Sequence, residues 1–340
     1  MNPISDSGSH EAAADRSVRT IETVNAVLAE PGKLISEGGK TALDCGGRSV
    51  PLEGGIVRFR SDDGYNASFA RQWKAFCLTQ YDQFNGTRLT RDRYVRETKW
   101  PETGLTGQLI LEAGCGAGRF TAILAKTGGT LISFDFSSAV DVAAEQNSTY
   151  DNIAFAQADI LDLPFRRESF DRVFCHGVLQ HTPDPKRAFQ SLSLLVKPGG
   201  RISIDVYLKD GKVRPWKSKY LWRWLTTRME PARLLGFLEW FIPKWLPLDT
   251  LIKRVPIFGN YVGAIIPCWN YFYTDLPKDL KVQWAILDTF DALAPTYDLP
   301  VTVREVEDWF RRAGYEDVEV REGGNGVVGN GRKPASKGQA

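Results

Sequence analysis

The residues best placed to do chemistry are the glycines of 110–120, which read I-L-E-A-G-C-G-A-G-R-F. An apolar run ending in such a turn and continuing as a helix lets the backbone take positive φ and approach a ligand with no Cβ in between. A dinucleotide turn spaces its glycines G-x-G-x-x-G; here the third, Gly118, comes one residue early and Arg119 takes its place. That register favours a different nucleoside, although a lone glycine turn can equally be a tight strand-to-helix corner. Asp135 stands 23 residues after Glu112, at the tip of the next apolar run. Its carboxylate either accepts from both ribose hydroxyls or caps the helix that opens in S-S-A-V-D. Asp159, in Q-A-D-I-L-D-L-P, either takes an adenine amino group, with Ile160 adding backbone and apolar contact, or caps its own turn. Two of the three histidines, His176 and His181, follow a fourth apolar run and are candidates for a base. His181 has the better claim, against an equal alternative in which it packs the T-P-D-P turn; His176 reads as a pocket wall.

Positioning these residues takes a repeating framework. Apolar runs at Gln108–Glu112, Leu131–Asp135, Ile153–Gln157, Arg172–Cys175 and Arg201–Tyr207 alternate with amphipathic stretches at Phe120–Lys126, Ser138–Asn147 and Lys186–Leu195. Such alternation predicts β-α-β units and a parallel sheet. After a break at 209–301, a helix over Val303–Ala313 and strands near Asp317–Arg321 and Gly326–Val328 close the pattern. The fold class expected is α/β: a seven-stranded, mostly parallel, doubly wound sheet with a small N-terminal extension and a helical lid insertion.

The motifs E-A-G-C-G-A-G, F-D-F-S, Q-A-D-I, S-F-D-R-V-F-C-H-G-V-L-Q-H and L-V-K-P-G-G-R-I occur in that order. Over 107–208, extended by later strands to about 330, the chain resembles the class I S-adenosylmethionine-dependent methyltransferases. The resemblance implies S-adenosylmethionine as cofactor. Gly114, Gly116 and Gly118 would line its methionine portion with Cys115 among them, and Glu112 would help hold the amino group, directly or through water. Asp135 with Phe136 would take the ribose, Asp159 with Ile160 the adenine, and Cys175 would stand by the pocket. It implies in-line methyl transfer, which positioning dominates and which needs no metal.

Residues 43–59 resemble the zinc-ribbon-like extension found ahead of some bacterial methyltransferases. Position 42 is Ala42, so Cys45 lacks its C-x-x-C partner and a metal-free remnant is expected, held by Val50, Ile56, Val57 and Phe59. The segment S-F-A-R-Q-W-K-A-F at 68–76 resembles the subgroup's covering helix, in which Gln72 and Trp73 either cover the adenosyl group or merely pack on the sheet. The expected divisions are a disordered lead at 1–17, the extension at 18–62 built of short strands and turns, and a helical cover at 63–106. The core at 107–208, the lid at 209–301, the closing elements at 302–330 and a tail at 331–340 follow, with fraying expected from 329.

From Gly211 to Cys268 ten basic residues face three acidic ones, with tryptophans at 216, 222, 224, 240 and 245. Indole interleaved with cations suits either a helical lid or a lid that also touches an anionic membrane. Val255–Thr274 carries no charge and is long enough to cross a bilayer, but Pro256, Asn260, Pro267 and Asn270 would leave polar groups unsatisfied there. On the loop expected at 288–300, Asp288, Asp291 and Tyr297 either contact substrate or bridge to the lid. Overall charge nearly cancels, 43 basic against 41 acidic side chains, and C-H-G-V stands where nucleic-acid enzymes carry N-P-P-Y. Nucleic acid is therefore not an expected partner. Five scattered cysteines and a polar N-terminus predict a reducing, cytoplasmic setting, to which the membrane-touching reading of the lid would add peripheral contact at the inner membrane face. The function expected is methyl transfer to oxygen or carbon of a small amphipathic or lipid-linked acceptor; the alternative is a non-catalytic cofactor-binding scaffold.

Overall fold

In the computed structural model, residues 18–335 are described, apart from 38–39, 61–63, 213–214 and 256–257. The expected disordered lead at 1–17 lies outside them. After a helix over 18–25 (α1) come strands Lys33–Glu37 (β1), Lys40–Cys45 (β2), Arg48–Glu53 (β3) and Ile56–Arg58 (β4). Helices Ala67–Ala75 (α2), Asp82–Asn85 (α3) and Leu89–Thr98 (α4) lead into the alternating unit. That unit is β5 (Leu109–Ala113), α5 (Arg119–Lys126), β6 (Thr130–Asp135), α6 (Ala139–Gln146), β7 (Ile153–Gln157), β8 (Phe170–Cys175), α7 (Pro185–Leu195) and β9 (Val196–Val206). The insertion holds α8 (Lys219–Thr226), α9 (Pro231–Lys253), α10 (Phe258–Gly263) and α11 (Lys278–Leu293). The chain closes with α12 (Val303–Arg312), β10 (Glu316–Glu322) and β11 (Val327–Arg332).

All eleven strands form one sheet, ordered β1-β2-β3-β4-β7-β6-β5-β8-β9-β11-β10. The run from β7 to β9 is parallel, and β11 enters antiparallel between β9 and β10. Strands such as L-I-L-E-A and I-A-F-A-Q are apolar at successive positions because both their faces are covered. Ile110 and Leu131 face α4, α5 and α6 on one side; Leu111 and Ile132 face α1, α7 and α12 on the other. Local chemistry sets the helix ends. The Asp184 side chain accepts from Arg187 N at 3.0 Å with Pro185 behind it, and Thr302 and Glu305 form a reciprocal capping box.

Three expectations are revised. The 18–62 segment opens with a helix whose Ile21 and Val24 enter the main core, and its strands are no separate ribbon. β4 pairs in parallel with β7, so the extension lengthens the main sheet along an edge that would otherwise be bare. The tail does not fray at 329: β11 continues to Arg332, and Lys333 exchanges backbone bonds with Gly199 and Gly200 at 2.9 and 2.8 Å.

The insertion builds a core of its own. Leu234, Leu238 and Ile242 of α9 meet Trp284, Leu287 and Phe290 of α11, and Phe76 and Trp73 from the α2 region pack into the same cluster. Buried charge fastens it: Lys219 Nζ reaches Asp298 at 2.5 Å, both nearly inaccessible, while Arg223 donates to the carbonyls of Ala292 and Pro295. Removing one partner of such a pair leaves an uncompensated charge. Asp298→Ala should therefore cost about 3–5 kcal/mol in denaturant unfolding. Glu230→Ala, which breaks an exposed contact to Arg233, should cost less than ~1 kcal/mol.

Candidate active site

A cavity of about 990 Å³ opens where the carboxyl ends of β5, β6, β8 and β9 meet α2 and the insertion. That volume is at the top of the ~300–1,000 Å³ usual for ligand sites. The glycine corner forms one end. Gly114 and Gly116 have φ of +74° and +55° and line the cavity. A Cβ on Gly114 would stand 2.3 Å from Val178 Cγ2, and one on Gly116 3.0 Å from the Trp73 indole nitrogen. Gly116 N donates to Asp135 Oδ2 at 2.9 Å, and the other Asp135 oxygen accepts from Ser137 N and Oγ. The acid and the corner therefore share one end of the cavity, with Cys115, Phe136 and Ile160 beside them in its wall.

Several expected ligands do other work. Gly118 does not line the cavity; its φ of +92° starts α5, and a Cβ there would lie 2.4 Å from Asn147 Nδ2 and 2.8 Å from Tyr81 Oη. Glu112 is buried beneath the corner, where Oε2 accepts from Thr121 and Ser133 at 2.6 and 2.7 Å. Asp159 turns its carboxylate to Leu161 N at 2.8 Å and to Arg60 at 3.6 Å, so it caps a turn while Ala158 and Ile160 form the wall. Cys175 is buried in the sheet, and burial pushes its thiol well up. Tyr297 contributes its carbonyl, not its ring, which packs edge-on to Tyr65 at 5.2 Å.

The two histidines separate clearly. His176 stacks on Phe174 with ring centroids 4.3 Å apart, its Nε2 lies 2.8 Å from Ser203 Oγ, and its Nδ1 faces Glu97 at 3.4 Å. Glu97, His176 and Asp205 bring ligand-type atoms within 4.8 Å of one another, but Arg93 is already paired with both carboxylates. His181 lies on a 3-10 turn, Leu179–His181, edge-on to Phe69 and Tyr207. Its Nδ1 is 3.0 Å from the Tyr297 carbonyl. A carbonyl only accepts, so Nδ1 carries the proton and Nε2 the lone pair. Burial lowers its pKa, opposed first by Asp291.

α11 supplies the facing wall. Asp288 and Asp291, three residues apart on one side of the helix, both line the cavity. Asp291 accepts from Gln72 at 3.4 Å and Tyr207 at 3.3 Å; Asp288 accepts from Gln80 at 3.0 Å and from Tyr271. Residues missed at the sequence level are Arg119, Tyr65, Tyr207 and Tyr271. Arg119 stood in the glycine motif itself. Among the described residues no carboxylate lies within ion-pair distance of it, and burial lowers its pKa to about 10. The tyrosines carried no signal, because aromatic spacing alone does not tell cavity from core.

Burial raises Glu112 and Asp288 to about 7. A carboxyl held above its unfolded value contributes stability below about pH 4, and that contribution is lost as pH climbs through the folded value. The melting temperature should fall between about pH 5 and 8. Glu112→Gln, which retains an acceptor for Thr121 and Ser133, should flatten part of that fall and Asp288→Asn another part. Unchanged slopes in both variants would contradict the burial argument.

A family model described as a methyltransferase domain matches residues 111–204. The ubiquinone biosynthesis O-methyltransferase of Coxiella burnetii is 38% identical over 112 residues, 32% of this chain and 47% of that protein. The demethylmenaquinone methyltransferase of Clavibacter sepedonicus is 35% identical over 101 residues, 29% of this chain and 41% of that protein. The chain thus spans less than half the length of these relatives. Among solved structures, phosphoethanolamine N-methyltransferase 2 of Haemonchus contortus with S-adenosyl-L-methionine has 18% identity and a TM-score of 0.43, covering 81% of this chain and 48% of that one. Residues 111–204 thus carry a methyltransferase domain, and the strand order and glycine corner around it are those of a class I S-adenosylmethionine-dependent methyltransferase fold.

Proposed function

We propose that this chain transfers a methyl group from S-adenosylmethionine to an oxygen of a small, amphipathic acceptor, with His181 as the proton acceptor. The observation that carries the reading is one cavity with a glycine corner joined to Asp135 at one end and a buried, neutral imidazole on its wall. The residues present fit the cofactor. Gly114 and Gly116 offer backbone without Cβ, Asp135 is a ribose acceptor, and Trp73, Phe136 and Ile160 give apolar walls. Arg119 is a cation with no carboxylate at ion-pair distance among the described residues, suited to the methionine carboxylate. When bound, the cofactor supplies a methyl group already activated by its sulfonium, so the protein's task is alignment.

The chain's own residues supply the rest. His181 Nε2 takes the acceptor's hydroxyl proton, because Nδ1 is held by Tyr297. Asp291 is the neighbour that most favours the imidazolium as the proton arrives, and Gln72 and Tyr207 hold that carboxylate in place. Val301 N and Leu299 N bond to the carbonyls of Tyr207 and Gln180, keeping the 297–301 segment over His181 and water out. The names of the quinone-pathway relatives support a hydroxylated, amphipathic acceptor.

Calorimetry with S-adenosylmethionine should give micromolar-range binding, weakened at least about tenfold in Asp135→Ala and in Arg119→Leu, each the loss of one charge-assisted contact. His181→Ala should bind the cofactor as wild type does. Its turnover of a hydroxylated quinone precursor, followed with labelled cofactor, should drop about 10²–10⁴-fold. The wild-type rate should rise with pH through an inflection below the ordinary histidine value of 6.5. Equal cofactor binding by wild type and Asp135→Ala sinks the site assignment, and undiminished turnover in His181→Ala sinks the base.

A further inference from the structure

Large apolar side chains are not spread evenly over this surface. Of the 23 that are exposed among the described residues, 15 fall within 220–273, the outer side of α8, α9, α10 and the loop that follows. On α9, Phe237, Trp240, Leu248 and Leu251 recur at spacings of three, eight and three, which is one stripe of the helix, and exposed Val255 follows just past its end. It lies across the helix from the stripe of Leu238, Ile242 and Leu246 that faces the insertion's core. The neighbouring helices extend it with Trp224 at 66% exposure and Phe258 at 74%. Trp222 Nε1 donates to the Ile265 carbonyl at 2.9 Å, which ties α8 to the loop after α10 and makes the face continuous.

A soluble surface does not gather this much apolar area without a partner. We propose that the outer face of the insertion docks onto an anionic lipid bilayer, and that the cavity draws its acceptor from there. Charge favours lipid over a second copy of the chain. Four exposed cations, Arg228, Arg233, Lys244 and Arg254, border the face against two exposed carboxylates, Glu230 and Glu239. Lys244 stands within the stripe, its ammonium 3.9 Å from the Trp240 ring. Exposed indoles interleaved with long cations match the headgroup layer, where rings lie at the interface and cations meet phosphate. Among the described residues no helix is long and apolar enough to cross a membrane, so the contact lies along the surface.

Position links the face to the site. Tyr220 and Tyr273, 40% and 72% exposed, belong to the apolar set and also line the cavity. An acceptor with an apolar tail in the bilayer can present its polar head to His181 without crossing water. This half rests on the methyl-transfer reading; docking itself does not.

Flotation with vesicles tests the docking. The full chain should rise with phosphatidylcholine–phosphatidylglycerol vesicles at low salt, at least about tenfold more than with phosphatidylcholine alone, and less as salt increases. Trp224→Ser, Trp240→Ser and Leu251→Ser combined should remain in the lower fraction while keeping wild-type melting temperature and cofactor affinity, since all three side chains are exposed. Failure of the wild type to float on either vesicle overturns the proposal, as does flotation of the triple variant. A wild-type dimer that the triple variant converts to monomer in sedimentation would also overturn it, assigning the face to self-association. Calorimetry on the same samples keeps the outcomes apart: flotation without cofactor binding upholds docking and sinks the acceptor route.

Discussion

The bond from Gly116 N to the Asp135 carboxylate joins two parallel strands at the point where the site begins. It exists because β5 and β6 pair with Glu112 opposite Ser133 and Ala113 opposite Phe134, which brings the tip of one strand level with the corner of the other. The same register lets Glu112 reach Ser133 on the neighbouring strand and Thr121 on α5. The corner is thus held laterally by Asp135, from beneath by Glu112, and from above by the Trp73 indole. A ligand meets a backbone already shaped, which reduces the ordering cost of binding.

The roof over that corner comes from two segments far apart in sequence. α2 and the insertion share a core separate from the sheet's own, and their polar contacts cross it: Gln72 and Gln80 reach Asp291 and Asp288 on α11. These carboxylates are not idle bridges, because both also face the cavity. Burial, with Asp291 alongside, raises the proton affinity of Asp288 against the opposing Tyr271 hydrogen bond and Arg119 charge, a shift typical of sites and costly elsewhere. The neighbouring Glu97–Arg93–Asp205 cluster shows the opposite arrangement. There the guanidinium is paired on both sides, and Glu97 is held well below the usual carboxylate range by His176 and Arg93 against its burial. One buried charge group braces the wall; the other can exchange protons.

Asp135, His181 and the glycine corner were legible because their chemistry is local: strand tips, a turn that needs positive φ, and a histidine just past a strand. The order of the alternating elements, and with it the α/β class and the parallel sheet, followed from apolar periodicity for the same reason. Glu112, Gly118 and Asp159 were also conspicuous, yet a residue type does not say which way its side chain points. Ser133 and Thr121, Asn147 and Tyr81, and Leu161 N with Arg60 claim them, and all but Leu161 and Thr121 are distant in sequence.

Sequence alone therefore determined the framework, with Asp135 at a strand tip and His181 in the segment after the fourth strand of the unit. Tertiary structure decided what no window of sequence contains. It set the joining of 33–58 to the sheet edge through β4 and β7, and the common core of α2 with the insertion. It also decided which nitrogen of His181 keeps its lone pair. Each depends on groups brought together from far apart in the chain, where the deciding quantities are burial and partner geometry rather than local preference.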